Sequence, residues 1–135
     1  MDADEFRRRT QHFALEVIGL TERLPRSRVA DVLGRQLLRS GTSVGANYRS
    51  ATRAQSSAHM VSKLAIVEEE ADECIYWLEL LVQSGIVTVD SVHELRREAS
   101  QIVAMTVASK KTQKAKARVS EDRQSKIVNP ISRGS

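Results

Sequence analysis

One cysteine, two prolines and an aromatic content of 4% leave this chain with few of the devices that shape many small proteins. A single cysteine rules out an internal disulfide framework, and nothing else in the composition points to an oxidising compartment. Pro25 and Pro130 lie at the ends of helix-period stretches rather than within them. No segment alternates apolar and polar residues as a half-buried strand does, and no internal repeat is visible. Long apolar runs are missing too: none reaches the eighteen or so residues a membrane helix needs. The first residues, Met1-Asp2-Ala3-Asp4-Glu5-Phe6-Arg7-Arg8-Arg9, place acids where a secretory signal requires a basic region and then an apolar run. These absences predict a cytoplasmic protein without a membrane partner. What remains is 41% apolar residues, mostly aliphatic, in 135 positions, enough for one helical domain with an adequate core.

Four helices are predicted from apolar spacing. The first runs from about Asp4 to Leu24, with Phe6, Phe13, Val17, Leu20 and Leu24 on one side, and stops before Pro25. Ser27 can cap the second, which continues to about Ala54 on a stripe of Ala30, Leu33, Leu37, Gly41, Val44, Tyr48 and Ala51. Gly41 and Gly45 each weaken that helix by about 1 kcal/mol against alanine, so a kink or short break there is one reading and a continuous helix the other. Periodicity decides for helix. The third, Ser57 to Ser84, carries Met60, Leu64, Val67, Ala71, Cys74, Leu78 and Leu81 at an unbroken four-three spacing, which is a bundle seam. Gly85 ends it, and Asp90 or Ser91 can cap a fourth whose seam is Val92, Leu95, Ala99, Ile102 and Thr106, flanked by Val103. Short connections make consecutive helices antiparallel neighbours, so an all-α, up-down-up-down four-helix bundle is expected over residues 1–109. Residues 110–135 form a basic C-terminal extension, either a helical continuation or a disordered tail, with Pro130 and Gly134 marking its last residues as coil.

Charge is distributed unevenly. Residues 110–135 hold eight Lys or Arg against Glu121 and Asp122, a net +6, which leaves the bundle itself at −2. A basic tail on a near-neutral body suits an anionic partner such as RNA, and equally a solubilising role. On the second helix Arg28, Arg35, Arg39, Arg49 and Arg53 fall within about 80° of arc opposite the apolar stripe, and the run from Arg35 to Arg53 spans about 27 Å. Arg35, Arg39, Arg49, Arg53, Lys110, Lys111, Lys114, Lys116 and Arg118 are thus the candidate nucleic-acid contacts. The competing reading is a solvated face, or ion pairs with a neighbouring subunit.

Catalytic residues are not evident. His12, His59 and His93 lie on three different helices with no ligand-spaced partner, so neither a metal nor another cofactor is expected. Gly41 and Gly45 lack the strand and lysine of a phosphate loop. Ser40, Thr42 and Ser43 have no histidine at a recognisable motif position. The acids Glu68, Glu69, Glu70, Asp72 and Glu73 avoid the seam positions Val67, Ala71 and Cys74, which excludes a carboxylate-bridged metal pair inside the bundle. Cys74 reads as a buried small apolar side chain. Asn47, near the apolar side, predicts a hydrogen bond across helices.

The small-residue run Gln36-Leu37-Leu38-Arg39-Ser40-Gly41-Thr42-Ser43-Val44-Gly45-Ala46-Asn47-Tyr48, taken with Trp77-Leu78-Glu79-Leu80-Leu81, lets two helices approach closely. Together these resemble the bacterial four-helix bundle protein family, whose best-known members are encoded in intervening sequences of large-subunit ribosomal RNA genes. The resemblance spans roughly Leu24 to Thr106 and implies a homo-oligomer, commonly a ring-shaped homopentamer. It also makes Gly45-Ala46-Asn47 a family hallmark, although Ser50 stands where relatives often carry glutamate. Ile66, Trp77 and Leu80 share a direction about 110° from the seam of the third helix, and are the candidate oligomer interface. The alternative is that Trp77 and Leu80 widen the core against the first or fourth helix. The expected function is a non-enzymatic oligomeric bundle that binds RNA or a ribonucleoprotein through its basic face and tail. A second expectation is an assembly or adaptor protein, including an accessory factor for a retroelement reverse transcriptase, which that family's fold also resembles.

Overall fold

Every helix starts where a short polar side chain caps its first turn. In the structure, a computed structural model that describes residues 1–128, Asp2 accepts from the Glu5 amide at 2.8 Å to open α1 (Ala3–Glu22). Ser27 accepts from Ala30 at 3.1 Å to open α2 (Arg28–Thr52), and Ser56 from His59 at 3.1 Å to open α3 (Ser57–Gln83). For α4 (Val89–Val128) the acceptor is Thr88 Oγ1, 3.2 Å from the Ser91 amide, rather than Asp90 or Ser91 as the sequence predicts. Thr88 stands three residues ahead of that amide, and Asp90 instead occupies the first turn, where a negative charge suits the helix dipole. Gly85 closes α3 at φ +79°, with Ile86 N–H donating to Leu81 O and Gly85 N–H to Val82 O, the paired bonds that cap a helix with a left-handed residue.

The chain is an antiparallel up-down-up-down four-helix bundle. Each helix packs against its sequence neighbours and α4 closes back on α1, while the diagonal pairs do not approach closely. The seams fill the middle: Phe13, Val17, Leu37, Val44, Leu64, Val67, Leu78, Leu81 and Ile102 are among the fully enclosed side chains. Cys74 is buried among them, as expected. Leu24, Leu33 and Met60 are only partly covered, and they lie near helix ends or at the edge of the core. Thr10, which the apolar spacing passes over, is fully buried; its hydroxyl donates to Arg7 O at 3.0 Å, so burial leaves it partnered.

α2 runs through Gly41 and Gly45 without a break. Gly41 serves packing. A Cβ at Gly41 would lie 2.8 Å from Val17 Cγ1, so α1 and α2 there come closer than side chains would permit, whereas one at Gly45 would meet Thr10 Oγ1 at an ordinary 3.4 Å. At the other end of the molecule α4 outlasts the seam. Burial along it stops at Thr106, every residue from Ser120 to Lys126 is exposed, and the helix continues to Val128. Pro130 and Gly134 lie outside the described residues.

Candidate functional site

The arginines predicted to share one face of α2 do not share one environment. Arg35, Arg49 and Arg53 are exposed, and no ion pair involves them among the described residues. Arg39 is also on the surface, but its guanidinium reaches across to α3, placing Nη1 3.1 Å from Glu70 Oε2 and Nη2 3.2 Å from Glu73 Oε1. Nη2 further donates to the buried Ser40 hydroxyl at 3.0 Å. A long side chain pointing away from the core can therefore fold back along a helix groove, something a projection of helix angles does not capture. Burial raises the pKa of Glu70 first, with its hydrogen bond to Glu73 adding to this and Arg39 opposing it. At Arg39 the ion pairs therefore form within one chain rather than with a neighbouring subunit.

The basic extension divides in a similar way. Lys110 lies 2.8 Å from Glu68 Oε1 on α3, a charge contact without hydrogen-bond alignment, and is largely covered. Lys111, Lys114, Lys116 and Arg118 are exposed. Because α2 and α4 run the same way, the C-terminal end of α2, with Arg49 and Arg53, and the extension of α4 belong to the same end of the bundle.

On α3, Ile66 is 37% exposed, Trp77 is partly covered against the core, and Leu80 is half-buried without packing onto it. The covering is not by the first helix, since α1 and α3 are diagonal; Trp77 lies on the side of α3 where Glu70 and Glu73 meet Arg39, facing α2. Trp77 Nε1 is buried without a hydrogen-bond partner among the described residues, and the ring packs edge-on against exposed Tyr76 at 5.0 Å between centroids. The antiparallel register fixed by Arg39 with Glu70 and Glu73 brings the level of Val32 on α2 beside Trp77 and Leu80. Val29, Val32 and Tyr76 are each more than half exposed, so an apolar band crosses the α2–α3 face.

Two further expectations are corrected. Asn47 does not bond across helices: its amide donates to Ser43 O at 2.9 Å, one turn back in α2. Short amide side chains satisfy themselves locally when the next helix offers no free carbonyl. Sequence reasoning also passed over the cluster that ties α4 to α1. There Arg9 clasps Glu98 with Nε 3.0 Å from both carboxylate oxygens and Nη2 2.6 Å from Oε1, and donates as well to Gln101. This bond to Glu98 raises the Arg9 pKa despite desolvation. A helix-spaced charge at Arg9 and another at Glu98 were the only signals available. Among the described residues, no group of three or more His, Cys, Asp and Glu is gathered as a metal site would need. Burial, with Glu70 and Glu73 adding to it, pushes the Cys74 thiol up to about 12. No described helix is long and apolar enough to cross a membrane.

Fold and surface together define a four-helix bundle with a basic end and an apolar band. Residues 4–108 match the model of the 23S rRNA-intervening sequence protein family, and the chain belongs to that family, as the small-residue run and Trp77-Leu78-Glu79-Leu80-Leu81 imply. A crystal structure of a protein with unknown function from the S23 ribosomal protein family of Bacteroides thetaiotaomicron is similar at 33% identity and a TM-score of 0.77. The similarity covers 82% of this chain and 99% of that one. No curated protein matches.

Proposed function

We propose that this chain is a non-enzymatic, cytoplasmic bundle protein that assembles with copies of itself and binds RNA or a ribonucleoprotein. The observation that carries the RNA reading is topological: parallel α2 and α4 gather Arg49, Arg53, Lys111, Lys114, Lys116 and Arg118 at one end of the molecule, all exposed. Cations on a rigid helix that extends past the core can follow a phosphate backbone without choosing a sequence. Arg39 and Lys110 contribute less, because their charge is already answered by Glu70, Glu73 and Glu68. The family's description, which places its members in a ribosomal RNA gene, agrees with an RNA partner but supplies only an association.

Self-association rests on the band of Val29, Val32, Ile66 and Tyr76 around Trp77 and Leu80. Apolar area with a tryptophan at its centre is what subunit interfaces use, and a homopentamer is the assembly the family resemblance implies. That band also favours the second reading, an assembly or adaptor protein that includes the retroelement accessory role, in which the apolar surface alone carries function. Titrating a labelled structured RNA with the full chain at several salt concentrations separates the two. Binding that weakens steeply with salt supports the first, and no binding at low salt leaves only the second.

A further inference from the structure

A cleft between α1 and α2 has an anion-binding character that neither helix shows alone. Arg7, Gln11 and Ala14 line it from α1, and Thr42, Gly45, Ala46 and Arg49 from α2. The volume is about 210 Å³. That is room for roughly seven waters' worth of polar ligand at about 30 Å³ each. The groove is open because Gly45 and Ala46 carry at most a methyl group and leave the space above them unfilled. No acid lines it.

The donors in this cleft are available. Arg7 has one partner, Asp4 one turn away at 2.7 Å, but both side chains are about half exposed or more, and such a pair holds weakly in water. Arg49 has no ion pair among the described residues. Thr42 is different: its hydroxyl already donates to Leu38 O at 2.8 Å and can only accept further bonds. The charge and the donors come from Arg7, Arg49 and the Gln11 amide. Two guanidiniums facing a shallow groove repel each other until something anionic sits between them, and planar guanidiniums suit phosphate oxygens. Arg53 continues the line one turn further along α2, about 6 Å on. A single small anion would engage the cleft, whereas a chain of phosphates would engage the cleft, Arg53 and the α4 extension together.

We propose that the α1–α2 cleft is a phosphate seat for the RNA backbone, with Arg7 and Arg49 as its clamp. The inference rests on the RNA reading above and assigns that reading a defined site. The test uses the full chain and a fluorescently labelled single-stranded RNA oligonucleotide, followed by anisotropy over a range of salt. Arg7→Gln with Arg49→Gln is expected to weaken binding about tenfold at low salt and to reduce the slope of log affinity against log salt by about 0.7 for each phosphate that is no longer neutralised. Ala46→Leu fills the cleft without altering charge and is expected to weaken binding several-fold with helicity unchanged. Arg28→Gln, which removes one charge at the opposite end of α2, is expected to leave affinity within twofold. The amide resonances of Gly45 and Ala46 should shift when RNA is added. If the parent chain binds RNA while the double variant and Ala46→Leu bind equally well, the cleft is wrong and the RNA reading stands. If the parent chain fails to bind RNA at low salt, both fall.

Discussion

Val17 and Gly41 sit closer than two side chains could: a Cβ on Gly41 would be 2.8 Å from Val17 Cγ1 and 2.9 Å from Cγ2. Gly41→Ala gains about 1 kcal/mol of helix propensity but must push aside a fully buried β-branched side chain, which costs about 1 to 3 kcal/mol. A net destabilisation of up to about 2 kcal/mol is expected in denaturant melts. Gly45→Ala, whose Cβ would meet Thr10 at an ordinary 3.4 Å, should be neutral or stabilising. Val17→Ala should recover part of the deficit when combined with Gly41→Ala, because the two share one space. Gly41→Ala more stable than the parent chain would mean that the helices are further apart than described.

The seams that were plain in the sequence are those whose residues do one thing. Leu64, Val67, Ala71, Cys74, Leu78 and Leu81, and Val92, Leu95, Ala99, Ile102 and Thr106, are all buried, because a four-three apolar repeat has one stable solution in a bundle. Leu78→Ala should accordingly cost about 2 to 5 kcal/mol. Charged residues were less legible. Arg39 and Arg49 lie within about 80° of each other on α2, yet one is bound to two glutamates and the other to none, since the outcome depends on what the adjacent helix presents at that level. Asn47 misled for a related reason: its position on the helix was right, and its partner was a carbonyl of its own turn.

The Arg39–Glu70–Glu73 cluster should give stability a recognisable pH dependence. Glu70 is nearly buried and its pKa is raised, so the folded state holds that proton more tightly than the unfolded chain does. Stability from this group is therefore complete below the ordinary carboxylate range and falls as pH rises through the raised value. Glu70→Gln should flatten the curve in that window. Arg39→Gln, which strips the acids of their counter-charge, should cost about 1 to 2 kcal/mol at pH 7 and less in acid. Cys74, held as a thiol by its high pKa, plays no part below about pH 9 and should resist thiol reagents until the bundle unfolds. Urea melts from pH 4 to 8 check the sign; a steeper curve for Glu70→Gln would assign the effect elsewhere.

Trp77 separates assembly from folding. It is partly covered against the core, yet it lies beside the exposed band of Val29, Val32 and Ile66. Light scattering of the full chain at micromolar concentration should show an oligomer, with a pentamer as the expected size. Val32→Glu, at an exposed site, should shift the population toward smaller species with helicity intact. Trp77→Ala should do the same and also lower stability, given its packing against the core. A parent chain that is monomeric throughout would remove the interface.

The α4 extension makes the most quantitative claim. Lys111, Lys114 and Arg118 lie within about 60° of one another on the helix, and Lys116 is exposed on the opposite face, about 140° or more from each of them. Each cation that neutralises a phosphate releases a counterion, so log affinity falls with log salt by about 0.7 per phosphate for a single strand and about 0.9 for a duplex. Replacing these four with glutamine should lower the slope by about 3 if all four engage. Lys110→Gln should change it little, because Lys110 is committed to Glu68. The helix should survive the replacements, since glutamine is nearly as good a helix former as lysine or arginine. Circular dichroism confirms that point independently of binding. A slope unchanged by all four replacements would show that the extension does not touch the nucleic acid, whatever the total charge of the chain.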